Sequence, residues 1–154
     1  MQSQKYSKRW INDDQNLNSA SDGNPVYNYI FVTDPKGIQL TFEQLKYELE
    51  KELDDFITVI YLVPREQSTP LYSSELDILE YRFIHKLLIY YIYYDYTNLI
   101  DQNLSQKILE VLINSNTGNV MRFFINGDKD LVDFTSDRLL FLGIKESNIS
   151  TQVH

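Results

Sequence analysis

The residues best suited by type to do chemistry are carboxylates. Asp34 closes the β-branched and aromatic run Val26-Tyr27-Asn28-Tyr29-Ile30-Phe31-Val32-Thr33 and opens Asp34-Pro35-Lys36-Gly37. The end of a first strand is where α/β folds often place a catalytic carboxylate or a magnesium ligand. Asp first, Pro second and Gly fourth is also type I turn chemistry, which explains Asp34 as a turn initiator. Asp128, Asp130 and Asp133 crowd the segment after Asn126-Gly127. Such oxygens could ligate a hard cation, but a calcium loop needs a longer ligand ladder ending in Glu. These groups define one reading, a metal-dependent hydrolase or phosphotransferase using Asp34 with Asp128 or Asp130.

Other chemistries lack their residues. His85 has Tyr81, Arg82, Leu88 and Ile89 at helical spacing, none of them a carboxylate, so a proton shuttle would need a partner from elsewhere. The absence of cysteine removes disulfides, thiol nucleophiles and thiolate metal sites. Five scattered glycines form neither G-x-G-x-x-G nor G-x-x-x-x-G-K-[ST], so neither glycine-rich phosphate cradle is present. No catalytic residue, metal or cofactor is assigned from the sequence, which leans away from an enzyme. A net charge of −8 repels phosphate backbones, and no nucleic-acid partner is expected.

The strongest signal lies elsewhere. Leu87-Leu88-Ile89 runs into Tyr90-Tyr91-Ile92-Tyr93-Tyr94-Asp95-Tyr96, in a chain with 12 Tyr among 154 residues. Tyrosine joins a large apolar ring to a hydroxyl that wants a hydrogen bond, and it is enriched at binding surfaces. The leading functional reading is therefore a non-catalytic interaction domain, a subunit or adaptor of a larger hetero- or homo-oligomeric assembly. Tyr90, Tyr91, Tyr93 and Tyr94 would form the contact, and Trp10 lies in a polar arm that adds a tether. Glu48, Glu50, Glu52, Asp54 and Asp55 gather where a helix ends, against the helix dipole. That patch supports another reading, an acidic inhibitor or immunity-type protein masking a basic surface. The start has no apolar signal region, and Leu87 to Tyr94 is too short to span a bilayer, so a soluble intracellular protein is expected, without membrane insertion.

The elements that must position these residues read as one α/β domain. Residues 1–24 are a flexible polar arm, 25–144 the domain and 145–154 a polar, frayed tail. The first strand ends at Thr33, and Ile38-Gln39-Leu40 returns as a short second one. Thr41-Phe42-Glu43-Gln44 is a capping box that starts a helix striped by Phe42, Leu45, Leu49 and Leu53. Phe56 to Val63 is nearly continuous apolar and stops at Pro64, the pattern of a strand covered on both faces. Leu76, Leu79, Phe83, Leu87, Tyr90 and Tyr94 keep helical spacing, predicting one long helix from Ser73; the rival is a helix ending near Lys86 followed by a strand. A helix striped by Leu104, Ile108, Val111 and Leu112 follows. Val120 to Ile125 and Leu131 to Phe134 then flank Asn126-Gly127 as a hairpin, and Thr135-Ser136-Asp137 caps a last short helix. The expected order is ββαβααββα: a mixed sheet of four to five strands with three to four packed helices.

Overall fold

The computed structural model describes residues 26–51, 55–67, 69–95, 100–114 and 120–154. They form a single α/β domain, as expected, with five strands and four α-helices among the described residues. In chain order these are β1 (Tyr27–Thr33), α1 (Ile38–Leu49), β2 (Phe56–Pro64), α2 (Ser73–Arg82), β3 (Leu87–Tyr94), α3 (Ile100–Asn114), β4 (Val120–Gly127), α4 (Lys129–Phe141) and β5 (Ile149–Val153). A short 3-10 turn, Glu146–Asn148, leads into β5.

The sheet order is β3-β2-β1-β4-β5, and every pairing is parallel, so the mixed sheet is corrected to a parallel one. Parallel neighbours need a crossover, and helices lie in all four connections. Both faces of the sheet are therefore covered, which is why β1 and β2 read as apolar runs rather than alternations. Ile38, Leu45 and Leu49 of α1 and Leu76 and Leu79 of α2 pack with Tyr29, Phe31, Val59 and Tyr61 on one face. Leu104, Ile108 and Val111 of α3 and Val132 and Leu139 of α4 pack with Ile30, Val32, Ile60, Phe123 and Ile125 on the other.

The chain winds outward from β1 to β3, then returns across the sheet to place β4 on the other side of β1. The winding direction thus reverses between β1 and β4.

Four local expectations are corrected. The long helix is two elements: α2 stops at Arg82, and Leu87–Tyr94 is an edge strand paired with β2. No Gly or Pro marks the break. Lys86 and Leu87 both donate backbone N–H bonds to the Phe83 carbonyl, at 2.8 and 2.9 Å, closing a tight turn. The open edge of β2 then satisfies the backbone of a segment rich in Tyr and Ile, which favour strands. On the outer edge, the Ile89 amide donates to the Glu80 carboxylate at 2.9 Å.

The hairpin at Asn126-Gly127 is absent. Gly127 does not adopt positive φ, and Asp128 N-caps α4, its carboxylate accepting from the Leu131 amide at 2.9 Å. Asn-Gly followed by Asp serves a strand-to-helix joint as readily as a turn. Ile38-Gln39-Leu40 is the first turn of α1, not a strand. Thr41 therefore lies inside the helix rather than capping it. The tail is ordered as β5, parallel to β4.

The tyrosines sit on alternate faces of β3, as a pleated strand requires. Tyr90 and Tyr94 join the α3/α4 side. Tyr91 joins the α1/α2 side, its ring 5.7 Å from Tyr61 and 6.3 Å from Tyr93. The Tyr91 hydroxyl is buried without a hydrogen-bond partner, and burial pushes its pKa up to about 12. Tyr91→Phe should leave stability unchanged or raise it by up to about 1 kcal/mol, because the ring stays and an unsatisfied polar group goes. Chemical denaturation would detect a loss of that size, which would mean the hydroxyl is bonded.

Candidate functional site at the reversal between β1 and β4

In open α/β sheets, ligands bind outside the carboxyl ends of the strands, at the point where the winding reverses. Here that point lies between the ends of β1 and β4, and two strand-to-helix joints meet there. The first is Thr33-Asp34-Pro35-Lys36-Gly37 leading into α1; the second is Asn126-Gly127-Asp128 leading into α4.

Asp34 links them. Its side chain is buried, and Oδ1 accepts from the amides of Lys36 at 2.9 Å and Gly37 at 3.0 Å. Those bonds fulfil the turn-initiating role read from the sequence. Oδ2 accepts from the Asp128 amide at 3.0 Å, a bond across 94 residues that the turn does not need.

Glycine permits the close approach at both joints. A Cβ on Gly37 would lie 2.0 Å from the Asn126 carbonyl oxygen, and one on Gly127 would lie 2.8 Å from Asp34 Oδ2. Asn126, buried, fastens β4 to α1: its Nδ2 donates to Thr41 Oγ1 and to Gln44 Oε1, both at 2.9 Å. The N-terminus of α1 carries no side-chain cap and no acidic residue in its first turn. Its first amides lack partners within the helix and lie at the positive end of its dipole. Lys36 is exposed beside them.

The other candidates do not converge. Asp128 is committed to the α4 cap, and Asp133 pairs with Lys129 at 2.6 Å. Among the described residues no group of three or more His, Asp or Glu could hold a metal ion, which corrects the metal-dependent hydrolase reading. The acidic patch is not one exposed face either. Glu48 holds Lys51 at 3.0 Å, Glu50 is exposed, and Asp55 is buried, accepting from the Tyr27 amide at 2.9 Å. Glu52, Asp54 and Trp10 lie outside the described residues, as does the polar arm. His85 lies in the exposed turn before β3, at the opposite end of the strands.

Asp55 gives a pH prediction. Burial raises its pKa above the ordinary value for an aspartate, against the lowering effects of the Tyr27 amide and Lys86. The native state therefore binds this proton more tightly than the unfolded chain. The contribution to stability is complete below the ordinary carboxylate range and is lost as pH rises through the elevated pKa. Asp55→Asn, which keeps the acceptor for Tyr27, should raise the melting temperature at pH 7. Melting curves of the two proteins should converge at pH 3; a gain that persists undiminished there would show that the charge is not responsible.

Comparison with known proteins places this geometry in a fold. No protein-family model matches the chain, and no curated protein matches it. Solved structures do. Ferredoxin-NADP+ reductase from Plasmodium falciparum with 2'P-AMP is similar over 83% of this chain and 52% of its own, at 20% identity and a TM-score of 0.62. The cytochrome b5 reductase domain of Ulva prolifera nitrate reductase is similar over 82% and 50%, at 14% identity and TM-score 0.60. The flavohem-like FAD/NAD binding domain of nitric oxide dioxygenase from Vibrio cholerae gives 12% identity and TM-score 0.53. This chain thus spans about half the length of the solved chains it matches.

The domain has the fold of FAD/NAD-binding reductase domains. That finding overturns the adaptor and inhibitor readings together with their description as interaction subunits. The adaptor reading leaned on the tyrosine run and on missing catalytic motifs, and the inhibitor reading on the acidic patch; the run is an edge strand, and the patch is divided between an exposed Glu50 and a buried Asp55. Lys36, Gly37, Thr41, Gln44, Asn126 and Gly127 went unassigned as site residues because each draws its meaning from strand order. The available signal was two segments, each a strand leading through a glycine-bearing joint into a helix.

Proposed function

We propose that this chain is a nucleotide-binding domain of the reductase type, taking an adenine nucleotide in the crevice between the carboxyl ends of β1 and β4. The observation that carries the reading is the all-parallel order β3-β2-β1-β4-β5, which brings two helix N-termini and two close-packed glycines to the one place where the winding reverses. The solved structures of the same fold include one with 2'P-AMP and one FAD/NAD binding domain. Lys36 and the uncapped start of α1 are the groups that would meet a negatively charged nucleotide.

The fit is partial. A dinucleotide's pyrophosphate wants the amides at such a joint, and here Asp34 holds three of them. No hydride-transfer step is therefore assigned to this chain. What its own residues do is shape the crevice and set which phosphate groups it admits.

Calorimetric titration with 2'P-AMP, ADP and NADPH tests the reading. Saturable binding of at least one, weakened about threefold or more by Lys36→Ala at low salt, is expected, since a rim charge contributes modestly and is screened. Absence of heat and of any melting-temperature shift for all three at millimolar concentration would contradict it.

A further inference from the structure

The two joints meet on an anion, and the anion is the protein's own. We propose that Asp34 occupies the seat that a ligand phosphate would take in this crevice, so that the wild-type domain excludes diphosphate groups from the amides of Lys36, Gly37 and Asp128. The inference deepens the nucleotide-binding reading and rests on it for the identity of the crevice.

Three observations converge. First, the donors come from both joints: Oδ1 of Asp34 takes two amides of its own turn, and Oδ2 takes the Asp128 amide of the other, at 2.9, 3.0 and 3.0 Å. A turn initiator needs only the first two. Second, the space into which a Cβ of Gly127 would project is filled by Leu131 Cδ2, 2.7 Å away, and by the Asp34 carboxylate, 2.8 Å away at both Cγ and Oδ2. The absence of a side chain at this joint, which in nucleotide-binding folds lets phosphate approach the backbone, here accommodates an aspartate. Third, the carboxylate is buried. An incoming phosphate would have to displace it and take over its bonds, or share the seat against like-charge repulsion. The consequence for ligand class is specific. The crevice holds a nucleotide through its nucleoside part and through charges at the rim, and it discriminates against ligands whose affinity depends on a deeply seated pyrophosphate.

Inorganic pyrophosphate is the direct probe, followed by calorimetry and by the backbone amide resonances of the isotopically labelled full chain. In the wild type, the amides of Lys36, Gly37 and Asp128 should not move on adding millimolar pyrophosphate. Asp34→Ser, whose hydroxyl can still serve the turn, should bind it at least about tenfold more tightly, with saturable shifts of the same three amides. Asp34→Asn keeps the size and one acceptor while removing the charge, and should also gain affinity; it decides the matter if the serine variant does not fold. Saturable shifts of those amides in the wild type would overturn the proposal. So would a folded Asp34→Ser or Asp34→Asn protein with unchanged pyrophosphate affinity. If Asp34→Ser gains pyrophosphate while no variant binds any adenine nucleotide, the seat stands and the nucleotide reading falls. If wild-type and variant proteins bind nucleotide and pyrophosphate equally well, the nucleotide reading stands and the seat falls.

Discussion

Replacing Gly37 by alanine should cost at least about 3 kcal/mol, among the largest single-methyl effects available in this protein. The added Cβ would stand 2.0 Å from the Asn126 carbonyl oxygen and 2.3 Å from its carbon, both backbone atoms of β4. Side chains can rotate away from such a clash; a strand in the middle of a parallel sheet cannot. Relief requires α1 to lift off β4, which also breaks the bonds from Asn126 Nδ2 to Thr41 and Gln44. The loss is steric and local. At an ordinary denaturant sensitivity, the urea midpoint should fall by about 1 M or more. A midpoint equal to that of the wild type would mean that α1 does not approach β4 as described, and the meeting of the two joints would fall with it.

The second large effect is expected at Tyr61, fully buried in β2 beneath α1 and α2. Its ring packs against Tyr91, and its hydroxyl donates to the Leu71 carbonyl at 3.0 Å, anchoring the segment that enters α2. Burial also holds its pKa well above the ordinary phenol value. Tyr61→Ala should cost about 3 to 5 kcal/mol, the range for emptying a buried aromatic site. Tyr61→Phe should cost only about 1 kcal/mol, since the ring remains and the Leu71 carbonyl, in an exposed residue, can turn to water. With total stabilities of about 5 to 15 kcal/mol for such domains, the alanine variant should be near its threshold at 37 °C. A cost below about 1 kcal/mol for alanine would show that β2 is not an interior strand. A phenylalanine variant as unstable as the alanine one would make the hydroxyl, rather than the ring, the anchor.

What could be read from the sequence was whatever depends on neighbours in the chain. Tyr27–Thr33 and Phe56–Pro64 announce buried strands by their apolar runs, and Ile38–Leu49 shows its buried stripe at Leu45 and Leu49. Asp34 was recognised as a turn former, which it is. What could not be read depends on partners far along the chain. Leu87–Tyr94 has helical spacing and strand composition at once, and only the free edge of β2 decides between them. The start of α2 at Ser73 was legible, but the conformation of the residue before it was not: Tyr72, at φ 65°, is left-handed although no local signal requires it, with its ring 5.0 Å from Phe42 of α1. Asn126-Gly127-Asp128 carries hairpin chemistry until β4 is known to lie beside β1, whereupon the same residues become a strand-to-helix joint.

The site followed the same rule. Its parts come from residues 34–44 and 126–128, and the bond that defines it joins Asp34 to Asp128. Two glycines whose importance is close packing leave no motif, because what they make room for is not adjacent to them in the chain. The tyrosine run drew attention for a sound reason, the amount of apolar surface it carries. Distributed over both faces of an edge strand, most of that surface is taken up by the domain's own helices, with Tyr93 left 42% exposed.

The central claim is that the reversal between β1 and β4 is where this domain receives a nucleotide. Amide chemical shifts of the wild-type protein titrated with 2'P-AMP test it most directly. The account predicts saturable shifts concentrated in residues 33–41 and 126–132, with residues 27–29, 56–58 and 120–122 at the far ends of the strands unmoved. Shifts centred on those far ends, or on the outer edges of β3 or β5 with the reversal silent, would contradict it.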